Sequence, residues 1–301
     1  MTGSGKPNAG SIDGQLAGER RAAAADADGP GHPSSATSSV NAESQSTAAT
    51  RADVSSNAGD LLTKFDGDYR AGDQTPAKLV ECLEDWGRQA TEDASPLLQV
   101  VLDGEIPPPV FLPRLDANVQ LQVEGDVGHH AFCHGRSYEA RVFGDADDAL
   151  GESLEGAVIK LRGDAKGFVG AAMTSGTVAV YGSAGDDVGA GMSGGQIFIR
   201  GDVGCRCGFA SRGGLIVVGG NAGSDLGRDA ESVTFYLRGD YDSLADGMVA
   251  TPLRRGEQLK LAVVLMNSSI RGEVTEFRRI VSRDTLEAER RQRGEVGSSW
   301  R

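Results

Sequence analysis

The segment HHAFCH at residues 129–134 gathers His129, His130, Cys133 and His134, soft donors that could hold a zinc ion. Structural zinc sites pair their donors at short fixed intervals, and this spacing matches none of them. The segment also interrupts a glycine pattern described below, so it reads as bulkier filling for a cap. No metal site is expected, and these four residues are the candidates should one exist. Cys205 and Cys207 flank Arg206, a cation that could depress a thiol pKa. A Cys-x-Cys spacing is not that of a CxxC redox pair, so one thiol is expected as a small buried filler and the other on a corner. Asp126, Asp145, Asp164, Asp202, Asn221 and Asp240 recur in a column that could attract a cation. The simpler expectation is that each side chain accepts N–H groups of its own turn. GAGMSGG at 189–195 has the glycine content of a phosphate cradle, but no helix follows it and no βαβ unit surrounds it. No Ser/His/Asp, paired-carboxylate or Cys/His arrangement reaches a catalytic claim, so neither catalytic nor cofactor-binding residues are expected.

These residues stand on a repeat. Gly125, Gly144, Gly163, Gly182, Gly201, Gly220 and Gly239 each close an apolar strand-like run and fall at every nineteenth position. Further glycines follow in register at Gly128, Gly185, Gly204 and Gly223, and again at Gly151, Gly170, Gly189, Gly208 and Gly227. Each unit then passes a glycine corner and ends in an alternating strand such as Val158 to Leu161 or Gln196 to Ile199. A fixed period near twenty positions with one short strand per period marks a solenoid of stacked parallel strands. The connections are glycine-rich and lack helix formers, which disfavours a leucine-rich repeat and predicts a single-stranded parallel β-helix of about seven coils. Alternate strand residues should point inward: Ile159 and Leu161, Val178 and Val180, Ile197 and Ile199, Ile216 and Val218. One coil buries too little to offset the ordering of its own backbone, so stability must come from stacking, and the two open ends need covers.

The expected organisation follows. Residues 1–60 contain no Trp, Tyr, Phe or Cys and predict a disordered tail. Residues 61–118 form an N-terminal cap: TPAKLVECLEDW predicts an amphipathic helix at 75–86, and SPLLQVVL an apolar helix or strand before a proline-rich stretch. Residues 119–250 hold the coils. Residues 251–301 form a C-terminal cap with a helix carrying Leu259, Leu261, Ala262, Val263, Leu265, Met266 and Ile270, apolar on more than one side, and a frayed helix around TLEAERRQR. That apolar surface should be buried over the open last coil or against another polypeptide. A net charge of −13 opposes nucleic acid as a partner. The absence of a long apolar run argues against a membrane span or secretory signal, and four scattered cysteines fit reduced thiols, so a cytoplasmic protein is expected.

The units GDAKGFVGAAMTSG, GSAGDDVGAGMSGG, GDVGCRCGFASRGG and GNAGSDLGRD resemble the GXGXG repeats in the C-terminal domain of the large chain of glutamate synthase. They are also similar to the glycine-repeat chain of formylmethanofuran dehydrogenase and of the formyltransferase/hydrolase complex. The resemblance covers about residues 119–250 and implies a right-handed β-helix without catalytic residues of its own. It implies a structural subunit of an oxidoreductase complex in nitrogen metabolism and glutamate biosynthesis, with amidotransferase and FMN-dependent synthase partners carrying the chemistry. FMN and iron–sulfur centres are expected only in those partners. The alternatives are a subunit of a one-carbon formyl-transfer complex and a stand-alone protein-binding solenoid.

Overall fold

The backbone keeps the glycine interval as a pairing register. The structure, a computed structural model, describes residues 64–66, 84, 97–102, 110–268 and 270–295. The disorder expected over 1–60 lies outside the described residues, as does the helix expected at 75–86 apart from helical Glu84. The strands are β1 (Lys64–Asp66), β2 (Leu97–Val101), β3 (Gln120–Glu124), β4 (Glu139–Phe143), β5 (Glu155–Leu161) and β6 (Ser175–Val180). They continue as β7 (Gln196–Ile199), β8 (Leu215–Val218), β9 (Thr234–Leu237), β10 (Met248–Thr251) and β11 (Arg278–Ser282). Two helices follow the coils, α1 (Arg255–Ser268) and α2 (Arg283–Gln292). The fold is mainly β, a parallel β-solenoid of about seven turns.

From β3 to β9 the strands pair in parallel so that Leu121, Ala140, Ile159, Val178, Ile197, Ile216 and Phe235 fall in one column, each one repeat after the last. The residues expected to face inward do so, and all eight are buried. A second column of single bridges runs through Val127, Ala146, Ala165, Ala184, Val203 and Ala222. A third buried column, Leu150, Val169, Val188, Cys207 and Leu226, closes the lumen from the far side. Apolar area shared between neighbouring coils holds the stack together.

The register glycines answer to crowding. The N–H of Gly182 donates to Gly163 O at 3.1 Å, and that of Gly220 to Gly201 O at 3.0 Å. A Cβ on Gly182 would sit 2.5 Å from Gly163 O and against Asp164 Oδ1. The later glycine column has a different cause: Gly170 has φ +63°, and a Cβ there would meet Ile197 Cδ1 at 2.6 Å inside the lumen. In the first coil Phe132 takes that position at φ +60° and is fully buried. Its ring meets Phe111 edge-on at 5.5 Å and Tyr138 at 6.1 Å, which plugs the N-terminal end of the lumen.

The C-terminal cap departs from expectation in three ways. First, α1 does not cover the open last coil: Leu261 and Leu265 lie on the flank against Ala179, Phe198, Val217 and Tyr236. Those four are the outward positions of β6 to β9, whereas the same column on β3 to β5 is Gln122, Arg141 and Lys160. The column turns apolar where the helix docks. Second, α1 ends at Ser268, before Ile270, and residues 278–282 form β11, which inserts antiparallel between β9 and β10. The exposed edge of β9 offers unpaired N–H and C=O groups that a strand satisfies and a helix cannot. Third, α2 is not frayed at its start. Ser282 Oγ accepts the Thr285 N–H at 3.2 Å, and the Thr285 hydroxyl donates to Glu231 O at 3.1 Å on the last coil.

Candidate functional site

The aspartate column is an inter-coil ladder. Asp126 Oδ1 accepts the N–H of Asp145 at 2.7 Å, Asp145 that of Asp164 at 2.8 Å, and Asp164 that of Ser183 at 2.7 Å. Ser183 Oγ, Asp202 Oδ1 and Asn221 Oδ1 continue it to Asp202, Asn221 and Asp240 at 3.2, 2.6 and 2.9 Å. The expectation that each side chain serves its own turn is thus corrected. With coils stacked in parallel, the nearest free N–H belongs to the next coil. Like charges in neighbouring coils repel, and Ser183 and Asn221 interrupt the run with neutral acceptors. Asp164→Ala should cost about 1 kcal/mol by orphaning the Ser183 N–H. Asp164→Asn, which keeps the acceptor as Asn221 does, should melt within a degree or two of the parent by calorimetry.

The histidine segment forms the corner of the first coil, with left-handed backbone at His130, Phe132 and His134. His129 lies 3.6 Å from Asp147 Oδ2 and 3.7 Å from Asp148 Oδ2, while His130 Nδ1 contacts Glu152 Oε2 at 2.6 Å. Cys133 is buried, and burial with the nearby Glu152 carboxylate pushes its thiol up. Among the described residues no group of three His, Cys, Asp or Glu side chains is arranged to hold a metal ion.

Cys207 is 1% exposed and stands in the aliphatic column of Leu150, Val169 and Val188, as the filler expectation requires. Burial pushes its thiol up to about 12. Arg206 does not activate it, because its guanidinium is engaged by Asp187, with Nε to Oδ1 at 2.8 Å. Cys205 is half-buried on the corner, where its sulfur accepts from the Ser224 hydroxyl at 3.3 Å. Alkylation with iodoacetamide at about pH 8 followed by peptide mass mapping should modify Cys205 in the folded protein and reach Cys207 only after urea is added. In the glycine loop at 189–195, the N–H groups of Gly189, Gly191 and Ser193 donate to Val169, Phe209 and Met173 carbonyls at 2.8, 2.7 and 2.9 Å. Those donors are committed to neighbouring coils and make no phosphate cradle.

What the reading along the chain missed lies on the outer face of the sheet. Phe143, Arg162 and Tyr181 occupy one outward column, and the Arg162 guanidinium sits 5.7 Å from the first ring and 5.0 Å from the second. Beside them α1 carries an exposed stripe of Leu259, Val263 and Met266, at 66%, 60% and 83% exposure. The signal for the column was present at the repeat period and invisible in any shorter window. Among the described residues no helix is long and apolar enough to cross a membrane. No family model and no curated protein matches the sequence, so the resemblance to GXGXG repeats rests on the glycine register and the four quoted units alone.

Proposed function

We propose that the chain is a non-catalytic scaffold subunit of a glutamate synthase-like oxidoreductase. It holds an amidotransferase and an FMN-dependent synthase through the solenoid flank and α1. FMN and iron–sulfur centres belong to those partners. The observation that carries the docking role is the apolar stripe Leu259, Val263 and Met266, turned to solvent on a helix that is already seated by its opposite face. A helix apolar on two sides is the usual state of one packed between two bodies. The enzyme assignment rests on the resemblance of the glycine units.

Co-expression with the polypeptides encoded beside it tests both parts. A stoichiometric complex with synthase and amidotransferase chains, lost on Met266→Glu, supports the reading. A complex with formyltransferase chains favours the one-carbon alternative. Glutamine turnover or formate release by the purified chain alone would remove the scaffold role.

A further inference from the structure

Where α1 stops covering the sheet, a groove of about 370 Å3 opens along its edge. Val158 and Lys160 of β5 and Thr177 of β6 make its open floor, Ala179 and Phe198 line its inner end where α1 buries them, and Val263 and Val264 of α1 make its wall. The wall continues over the helix into Leu259 and Met266, four residues before Val263 and three after it, so wall and stripe form one apolar surface. The floor is a flat parallel sheet and the wall a helix, which together offer the trough that a second helix fills.

The rim of this trough is cationic in a chain of net charge −13. Lys160 lies on the floor and Arg162 is stacked between Phe143 and Tyr181, the latter also lining the groove. Arg200 follows in the same outward column and is exposed. Lys260 is exposed on α1, three and four residues before the two valines of the wall. Glu139 on the same face is shared by Lys160 and Arg141 at 2.8 Å each, which leaves one positive charge over on that trio beside Arg162, Arg200 and Lys260. The aspartate ladder begins beyond the register glycines, and its members there, Asp164 and Asp202, already accept backbone N–H groups. Arginine and aromatic side chains around an apolar floor are the residue types that dominate binding energy at protein interfaces.

We propose that this groove seats an amphipathic helix of a partner protein, with its apolar ridge along Val158, the Thr177 methyl and Val263 and its flanking Asp and Glu side chains toward Arg162, Lys160 and Lys260. This deepens the scaffold reading and rests on it only in requiring a protein partner. The acidic flanks supply the attraction that the chain's overall charge would otherwise deny.

Panning a phage-displayed library of helical peptides over the immobilised full chain tests it. Enriched peptides should combine apolar residues at i, i+3, i+4 and i+7 with Asp and Glu on the flanks. Their affinity, measured by fluorescence anisotropy, should fall roughly tenfold or more on Val263→Asp and on the Lys160→Glu/Arg162→Glu pair. It should weaken as salt rises from about 0.05 to about 0.5 M. Met266→Glu, at a fully solvent-facing site, serves if a groove variant melts early, and Lys166→Glu beyond the glycine column should change nothing. Enrichment of basic or uncharged peptides, no enrichment, or indifference to the groove variants overturns the proposal. So does light scattering that shows a dimer dissociated by Val263→Asp, which would make a second copy the occupant. Acidic helices enriched without any synthase complex would keep the groove and remove the glutamate synthase reading. A synthase complex with no acidic preference would do the reverse.

Discussion

Replacing Gly182 with alanine should lower the melting temperature by roughly 10 °C or abolish folding, although the change adds one methyl group. The backbone of Gly182 suits any residue, so the cost is contact alone. A Cβ would sit 2.5 Å from Gly163 O and against Asp164 Oδ1. Neither neighbour can retreat, because Gly163 O accepts the Gly182 N–H at 3.1 Å and Asp164 Oδ1 the Ser183 N–H at 2.7 Å. The coils must separate or both bonds must break, a penalty of about 3 kcal/mol or more. Gly191→Ala is the control. Gly191 has φ +66° with open space around its Cβ position, and Ala172 and Ala210, one coil to either side, already hold φ +54° and +51°. That variant should lose at most about 1 kcal/mol. Calorimetry on the pair separates crowding from backbone strain, and equal losses would show that the coils do not approach as described.

Arg279→Met should loosen the C-terminal cap by about 3–5 kcal/mol. The Arg279 side chain is 7% exposed and lies between α1 and α2, reaching Glu257 Oε1 at 2.8 Å and Glu289 Oε2 at 2.9 Å. Without the guanidinium the two carboxylates face each other with their shared cation gone. The hydrogen bond from Arg279 holds the Glu289 carboxyl below its ordinary range despite partial burial. A depressed folded-state pKa contributes stability that is present above the unfolded carboxyl value, near about 4.3, and is lost as pH falls through the folded value. The gap between parent and variant should therefore be widest at neutral pH and shrink below about pH 4, as read from urea midpoints at a series of pH values. A gap that widened on acidification would contradict this pairing.

The glycine register and the inward aliphatic pairs were legible because one coil dictates the next. Whatever stands at Ile159 must fit over Ala140 and under Val178, so residue type repeats with the coil. The corners were only half legible. Left-handed backbone recurs at Ala149, Gly151 and Ser153, at Phe168, Gly170 and Ala172, and at Arg206, Gly208 and Ala210. The middle member's Cβ would enter the lumen, where Gly151, Gly170 and Gly208 have no room for it and only the first coil seats a side chain, Phe132. The outer members, all but the buried Ala149 at least partly exposed, accept many side chains, so sequence left no mark of their conformation. The docking site of α1 was written in the change from Lys160 to Ala179, Phe198, Val217 and Tyr236, but it appears only when the chain is wrapped at its own period. β11 was hidden because FRRIV follows a helix and precedes another, and what makes it a strand is the open edge of β9, far back in the sequence.

The aromatic plug engages the first coil and α1 the outward positions of β6 to β9, which leaves the coil ending in β5 held by its neighbours above and below. The solenoid can therefore change length by a whole coil. Excising or duplicating one whole repeat at that point reconnects every column, ladder and lumen contact to an equivalent residue. Removing one residue more or fewer leaves a single coil off length, which a bulge must absorb, as between β5 and β6, where Glu155 pairs with Ser175 but Val158 with Thr177. Variants of this protein that lose or gain strands of the solenoid should do so in whole coils, from one register glycine such as Gly144 to the next at Gly163, with single-residue changes confined to corners and bulges.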